Sequence, residues 1–228
     1  MATVRKIVLA NEEIYHIFNR GVEKRTIFTD KREYKRALGT LKYYQYKNLP
    51  VKFSKFLVQT PENQEKILLQ ISKPDNKLVD IISFCLMPNH FHFLLKQLCD
   101  NGISILLANF TNSYTKYFNT KHERNGSLVQ GPFKSVYVES YEQLIHLSRY
   151  IHLNPVASFI IKDQDQDQEL ETYPWSSLRE YLGLEEGICN KEIVINQFKS
   201  AADYKNFVLD QISYAKELDK IKHLAIEE

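Results

Sequence analysis

Two neighbouring β-prone runs in the middle of the chain limit the fold more than any other feature. Val79 to Leu86 is apolar and rich in β-branched residues, which is typical of a buried strand. Met87-Pro88-Asn89 interrupts this run with turn-forming residues, and His90 to Lys96 resumes it. Two strands joined by so short a turn predict an antiparallel hairpin, so the fold has to contain a sheet built around it.

The segments on either side of the hairpin predict further strands and helices. Apolar residues recur every three or four positions in the helical segments, and Asp30 and Ser140 stand where N-cap residues are expected. The predicted elements are a strand at 14–18, a helix at about 31–47, a helix at 103–122, a strand at 135–139 and a helix at 141–154. The order β-α-β-β-α-β is the split βαβ pattern. We therefore predict an α+β, ferredoxin-like antiparallel sheet with helices on one face, followed by a helical C-terminal extension.

Four further segments complete this prediction. We expect a strand near 53–58, a short helix near 62–70 and a second short helix that follows Tyr173–Ser177 and ends at Gly183. The tail from about 201 to 223 has helical periodicity, and Pro155 is expected to close the helix before it. The apolar residues of that tail are Phe207, Val208, Ile212, Ala215 and Leu218.

Charge is distributed unevenly along the chain. The formal net charge is +2, yet residues 1–60 hold thirteen Lys or Arg against five Asp or Glu. Residues 161–172 hold one Lys against five acidic residues, which is typical of a solvated loop or linker. We therefore expect a main domain at 1–157 with a polyanion-binding half, an acidic linker or loop at 158–172 and a helical extension at 173–228.

The apolar runs and the cysteines limit the location of the protein. No apolar run reaches the roughly 18 residues of a membrane span. The three cysteines are odd in number and widely spaced, so they fit neither a zinc site nor a disulfide framework. Both observations favour a cytoplasmic protein.

His90 and His92 are the first candidates for chemistry. Alternate residues of a strand face the same side, so both imidazoles are expected on one face with Phe91 on the other. Imidazole is the commonest metal ligand, so this pair predicts a divalent metal site. The alternative is that both histidines have structural roles.

The helix predicted at 141–154 holds the second set of candidates. His146, Tyr150 and Asn154 are spaced by four and are expected on one face. A tyrosine phenol can act as a nucleophile, and an asparagine oxygen can bind a hard cation such as Mg²⁺. Alternatively, Tyr150 is a core phenol and Asn154 caps the helix before Pro155. Together the two sets suggest a metal-polarised phosphodiester that is attacked by tyrosine.

These motifs resemble those of a known family. Cys85-Leu86-Met87-Pro88-Asn89-His90-Phe91-His92-Phe93-Leu94-Leu95 is similar to the His-hydrophobic-His motif of HUH single-tyrosine transposases. The resemblance is greatest to the REP-associated tyrosine transposases of the insertion-sequence-200-like superfamily, and it covers roughly residues 12–183. The supporting segments are Tyr15–Gly21, Gly126–Ser135, Arg149–Val156 and Tyr173–Ser177.

The resemblance implies a fold, an activity and a set of site residues. It implies a ferredoxin-like catalytic domain at 1–157 that nicks and rejoins single-stranded DNA near hairpins or palindromic repeats through a 5′-phosphotyrosine intermediate. His90, His92 and Asn154 would bind Mg²⁺ or Mn²⁺, and Tyr150 would be the nucleophile. Such enzymes are monomers in this subfamily, with a dimer as the alternative, and they act in the cytoplasm on the nucleoid.

Two other tyrosines compete with Tyr150 for the role of nucleophile. Tyr114 and Tyr117 lie on the preceding helix, but the residues four positions on are Phe118 and Lys121. Because the family places a carboxamide four residues after its tyrosine, the resemblance favours Tyr150.

Four basic residues lie in or beside these motif segments and are candidates for contacts with the DNA backbone. They are Arg20, Arg25, Lys134 and Arg149. Two alternative functions stay open at this point: a non-catalytic, domesticated relative that binds structured DNA or RNA, and an HUH replication initiator.

Overall fold

The computed structural model describes residues 8–158, 160–161 and 166–212. Within these residues four strands form one sheet, in the order β2-β3-β1-β4. The strands are β1 (Ile14–Arg20), β2 (Val79–Met87), β3 (His90–Gln97) and β4 (Lys134–Tyr137). This order is the one that a split βαβ arrangement produces, so the predicted ferredoxin-like α+β fold is confirmed.

The strands of the sheet run antiparallel to their neighbours. β2 and β3 are joined by a two-residue turn. The Gln97 N–H donates to the Glu13 carbonyl, and the Gly21 N–H donates to the Asn89 carbonyl. β1 and β3 therefore run in opposite directions. The β1–β4 pair is antiparallel with Tyr15 opposite Tyr137.

Helices make up most of the remaining regular structure among the described residues. They are α1 (Lys31–Tyr44), α2 (Phe53–Phe56), α3 (Pro61–Ile71), α4 (Gly102–Lys121), α5 (Tyr141–Ala157), α6 (Gln166–Thr172), α7 (Leu178–Tyr181), α8 (Glu192–Ile195) and α9 (Ala201–Leu209). The predicted helical C-terminal part is confirmed. In the described part of the chain, no helix has both the length and the apolar character needed to cross a membrane.

The chain divides into two compact units. The first unit runs to Ile81 and adds Pro88–His90 and Leu95–Tyr137, so it contains β1, β4 and the helices α1 to α4. The second unit contains Ile82–Met87, Phe91–Leu94 and the chain from Val138 onwards. α5 lies in the second unit, and the division at 157 that the sequence predicts stays a prediction.

A buried carboxylate joins α1 to α4 in the first unit. Asp30 caps α1 as predicted, since its side chain accepts from the backbone N–H of residues 32 and 33. Glu33 is buried and accepts from Lys121, His122 and the Thr29 backbone and hydroxyl. Burial alone would raise the pKa of Glu33, but these hydrogen bonds lower it below its ordinary value.

The second unit adds an extended segment beside β2. The Leu86 N–H donates to the Trp175 carbonyl, and the Ser177 N–H donates to the Phe84 carbonyl. The Tyr173 hydroxyl donates to the Leu86 carbonyl. The segment 173–177, which the sequence marked only as the approach to a helix, therefore covers the edge of β2.

The type of one predicted element and the end of another were wrong. Residues 53–56, predicted as a strand, form α2, because Phe53 and Phe56 at a spacing of three both pack on Tyr43, with ring centroids at 5.3 and 4.9 Å. Pro155 does not end α5. It lies in the last turn, and the Ser158 N–H donates to the Asn154 carbonyl beyond it.

The acidic segment and the tail also differ from the prediction. Residues 166–172 were predicted as part of an acidic loop or linker but form α6, with Leu170 buried. The short helix before Gly183 is confirmed as α7, and the tail helix begins at Ala201 as predicted. Ala215 and Leu218 lie outside the described residues.

Candidate active site

The two predicted histidine ligands lie at the start of β3. His92 is 7% exposed, and the neighbouring rings of Phe91 and Phe93 are buried and stacked with their centroids 4.6 Å apart. The Nδ1 atom of His90 lies 2.6 Å from the Asn89 Oδ1 atom. An amide oxygen can only accept, so His90 carries its proton on Nδ1 and keeps the lone pair on Nε2, as a metal-binding imidazole requires.

Tyr150 lies on α5 against one of these histidines. The rings of Tyr150 and His92 meet edge to face, with centroids 5.6 Å apart and planes at 83°. Tyr150 is half-buried, so its ring is packed without being sealed in the core. The structure therefore brings the predicted nucleophile and a predicted metal ligand into direct contact within the second unit.

Asn154 lies one turn further along α5 and is 4% exposed. Its Nδ2 group donates to the Tyr150 carbonyl at 2.9 Å, which fixes the orientation of the carboxamide. The cap of α5 is Ser158, so the alternative reading of Asn154 as a helix cap is wrong. A carboxamide held by its nitrogen leaves its oxygen on the other side, as a hard cation requires.

The two competing tyrosines, Tyr114 and Tyr117, lie in surroundings that differ from those of Tyr150. Tyr114 is 3% exposed and its hydroxyl donates to the Ile27 carbonyl at 2.5 Å. Burial and nearby carboxylates raise its pKa far above the ordinary tyrosine value, so its phenolate is inaccessible. The Tyr117 ring lies under the Arg36 guanidinium, 5.0 Å from the centroid. Neither tyrosine has the contact with a β3 histidine that Tyr150 has.

The donor set of the predicted metal site fits a divalent cation. In the part of the chain that the structure describes, no three His, Cys, Asp or Glu side chains group as a metal site. The predicted set has two imidazoles and one carboxamide, so only two of its three ligands are of these four residue types. Imidazole nitrogens and a carboxamide oxygen suit Mn²⁺ and, through the oxygen, Mg²⁺.

Comparison with known proteins decides the family. The model of the family "Transposase IS200 like" matches residues 11–154, which is more than half of the chain. This chain belongs to the IS200-like transposase family. The predicted resemblance is therefore confirmed, and the protein is a DNA transposase by family.

Five solved chains also match this IS200-like transposase. A REP-associated tyrosine transposase bound to a REP hairpin is similar with a TM-score of 0.48 and 13% identity. The similarity covers 88% of this chain and 96% of that one. No curated protein matches the chain.

Three of the four candidate phosphate contacts of the transposase lie in the first unit. Arg20 ends β1 and its Nε donates to the Gln130 side chain at 2.8 Å. Arg25 pairs with Glu23 at 3.3 Å, and Lys134 is exposed at the start of β4. Their contact with DNA stays a prediction.

Arg149 of the transposase is packed against protein, and so is the nearby His146. The Arg149 guanidinium lies 4.1 Å above the Phe207 ring and 2.6 Å from His146 Nδ1. His146 also packs on Phe207, with ring centroids 5.7 Å apart. His146 lies on α5 at the predicted spacing of four from Tyr150, and it also contacts residues that dock α9.

The sequence reasoning missed one buried group of the transposase site. His152 lies two residues after Tyr150, is 0% exposed and contacts both Tyr204 and Ser177 at 2.8 Å. One sequence signal pointed to this burial, because His152 lies between the apolar residues Ile151 and Leu153 of α5. Its partners could not be found from local spacing because they lie 25 and 52 residues further along the chain.

Proposed function

We propose that this transposase nicks and rejoins single-stranded DNA, with Tyr150 as the nucleophile and a divalent cation held by His90, His92 and Asn154. The observation that carries the proposal is the edge-to-face contact between Tyr150 and His92. It places the phenol beside a residue whose imidazole is suited to bind a metal, and this arrangement is what metal-assisted attack on a phosphodiester needs.

The choice of Tyr150 over the other tyrosines rests on its surroundings. A nucleophile has to reach the phosphorus atom, and Tyr150 is half-buried while Tyr114 is sealed in the core. Asn154 follows one helical turn later with its amide nitrogen held by the Tyr150 carbonyl. The same helix therefore supplies both the nucleophile and an oxygen ligand, at a spacing fixed by the backbone.

Held by His90, His92 and Asn154, Mg²⁺ or Mn²⁺ would supply Lewis-acid chemistry that polarises a phosphodiester oxygen and stabilises the charge of the transition state. The chain's own part is to orient its donors. His90 is held through Nδ1 by Asn89, and Asn154 through Nδ2 by the helix backbone. Such supporting hydrogen bonds set the direction of a ligand's lone pair before the metal binds.

The reaction is balanced without a nucleotide cofactor. The Tyr150 oxygen forms a bond to phosphorus while the bond from phosphorus to the 3′ oxygen breaks. The phenolic proton leaves to solvent and the 3′ oxygen takes up a proton, giving a 5′-phosphotyrosine link and a free 3′ hydroxyl. Attack by a second 3′ hydroxyl reverses these steps and releases Tyr150, which rejoins the strand.

We propose that the substrate is single-stranded DNA that contains hairpins or palindromic repeats, bound by a monomer in the cytoplasm. The basic N-terminal third of the chain supports a polyanionic partner. Binding to phosphates releases counterions, so the affinity should fall with the logarithm of salt concentration.

The test is a covalent-adduct assay on a hairpin-bearing single strand labelled at its 3′ end, because the fragment joined to tyrosine keeps that end. The wild-type chain should give a labelled protein band with Mn²⁺ or Mg²⁺ and none with EDTA. Tyr150→Phe should abolish the band and leave hairpin binding unchanged. Tyr117→Phe is the matched control on a half-buried tyrosine and should keep the band.

Two results would contradict the proposal. A band that persists in Tyr150→Phe refutes the choice of nucleophile. A wild-type chain that binds hairpins but gives no band with either metal indicates a non-catalytic binding protein.

A further inference from the structure

The face of α5 opposite the nucleophile is anchored by polar side chains. A helix turns about 100° per residue, so Ser148 and His152 lie on the side away from Tyr150 and Asn154. Both Ser148 and His152 are 0% exposed. One helix therefore has a reactive face and a face buried in the second unit.

A hydrogen-bonded chain joins this rear face to α9. The Tyr204 hydroxyl lies 2.8 Å from His152 Nδ1 and donates to the Ser148 Oγ at 3.1 Å. Ser148 in turn donates to the Ile145 carbonyl at 2.8 Å. The direction of these bonds fixes the proton of His152 on Nδ1, because the Tyr204 hydrogen is used towards Ser148.

The other side of His152 joins α5 to β2. Its Nε2 lies 2.8 Å from the Ser177 Oγ, which also accepts from the Phe84 N–H at 2.9 Å. Since Nδ1 carries the proton, Nε2 is the acceptor. The Ser177 Oγ lies nearer to Nε2, at 2.8 Å, than to the Phe84 carbonyl, at 3.2 Å, so its hydrogen goes to the imidazole. A neutral imidazole with one donor and one acceptor satisfies both partners. Burial agrees with this state, since it lowers the pKa of His152 to about 3.

A second contact fastens α9 to α5. The Arg149 guanidinium stacks 4.1 Å from the Phe207 ring, and its Nη1 donates to the Phe207 carbonyl at 3.3 Å. Lys205 of α9 also pairs with Glu171 of α6 at 2.6 Å. The family match ends at residue 154, so α9 lies outside the part of the chain that the family model covers.

We propose that α9 is a positioning element for the nucleophile: Tyr204, acting through His152, and Phe207, acting through Arg149, hold α5 in the orientation that presents Tyr150. The inference rests on the proposed function for the role of Tyr150, and on the contacts alone for the anchoring of α5. His152 and Tyr204 are positioning residues, since neither touches the reacting atoms. The role of the C-terminal extension is thereby assigned to a particular helix and two contacts.

The test compares Tyr204→Phe with Tyr43→Phe in the full chain. Both changes remove one hydroxyl from a tyrosine that is at most 2% exposed, and the Tyr43 hydroxyl bonds only the Val51 carbonyl, in the first unit. Loss of the Tyr204 hydroxyl leaves the His152 N–H without its partner and frees α5 to shift. Displacement of a catalytic group by about 1 Å can lower a rate up to about 100-fold.

Three measurements are made on each variant with saturating hairpin DNA and Mn²⁺. The rate of adduct formation in a single turnover should fall at least roughly tenfold in Tyr204→Phe and stay within about twofold in Tyr43→Phe. The hairpin dissociation constant should be unchanged in both. Hydrogen exchange of the α5 amides should become about tenfold faster in Tyr204→Phe alone. His152→Gln, which keeps one donor and one acceptor, should recover more of the rate than His152→Ala.

The outcomes separate the two proposals. Equal α5 protection in the two tyrosine variants overturns the anchoring. Faster exchange with an unchanged adduct rate overturns the positioning role and makes α9 a purely stabilising helix. A wild-type chain that forms no adduct overturns the proposed function, and the exchange comparison still decides whether α9 anchors α5.

Discussion

Acidification from pH 7 to pH 5 should destabilise this transposase through His152. Burial holds the pKa of His152 at about 3 in the folded chain, whereas an exposed histidine has a pKa of about 6.5. Below pH 6.5 the unfolded chain takes up a proton that folded His152 does not, so acid favours unfolding. The stabilisation is present above pH 6.5 and is lost progressively as the pH falls towards 3.

The size of the effect follows from the two pKa values. At pH 7 both states are mostly neutral, and at pH 5 the unfolded histidine is almost fully charged. Integration of proton uptake over this interval gives a loss of about 2 kcal/mol in the free energy of unfolding. That loss is a large share of the roughly 5–15 kcal/mol by which folded domains are stable.

The assay is urea unfolding at pH 7, 6 and 5, followed by the fluorescence of Trp175. This residue is the single tryptophan of the chain and lies two positions before Ser177, the partner of His152. His152→Gln is the reference, because it has no titrating group at 152 while every other acid and histidine is unchanged. We expect the wild-type chain to lose about 2 kcal/mol more than the variant between pH 7 and pH 5. Parallel losses, within about 0.5 kcal/mol of each other, would refute the buried neutral state of His152.

Three further predictions concern the site and the core. Asn154→Ala should raise the Mn²⁺ concentration for half-maximal adduct formation by about tenfold or more in a metal titration, because it removes the proposed oxygen ligand. Tyr114→Phe should keep adduct formation and lower the free energy of unfolding in urea by about 1 kcal/mol, because the buried Ile27 carbonyl loses its donor. Glu33→Gln should lower that free energy by about 2 kcal/mol at pH 7, because Lys121 loses its charged acceptor. Since the pKa of Glu33 is lowered by folding, its contribution is present at neutral pH and disappears as the pH falls below its ordinary range, so the difference between the two chains should shrink in acid.

Local pattern was enough to predict most of the sheet and its order. The hairpin at 79–97 consists of two apolar runs broken by turn residues, and the helices at 31–44 and 102–121 have a period of three to four residues. Single residues such as Asp30 mark where helices begin. The wrong predictions concern segments whose conformation depends on tertiary packing. Phe53 and Phe56 lie in a mixed segment whose conformation depends on Tyr43, and Pro155 is tolerated because the helix has only a few residues left to form.

The site was predictable where its chemistry is local and unpredictable where it is not. The spacing of Tyr150 and Asn154 and the pair on β3 can be read from neighbouring residues, and the structure brings Tyr150 and His92 into contact. The sequence did not indicate that Arg149 packs on Phe207, a residue 58 positions away. Long-range contacts of this kind depend on how helices and strands pack together, so they cannot be predicted from the local spacing of apolar residues.

The predicted division of the chain at residue 157 follows sequence motifs, whereas the contacts that hold the proposed nucleophile extend beyond it. Tyr150 and His152 are two residues apart on one helix, yet the period of the helix places the first on the face that we propose to be reactive and the second in the core. The partners of His152 come from Ser177 and Tyr204, well beyond the family match. In proteins most of the stability of a helix such as α5 comes from tertiary packing of its buried face. Ser177 and α9 therefore belong to the same compact unit as Tyr150. Without them the rear face of α5 would lose the groups that hydrogen-bond to neutral His152.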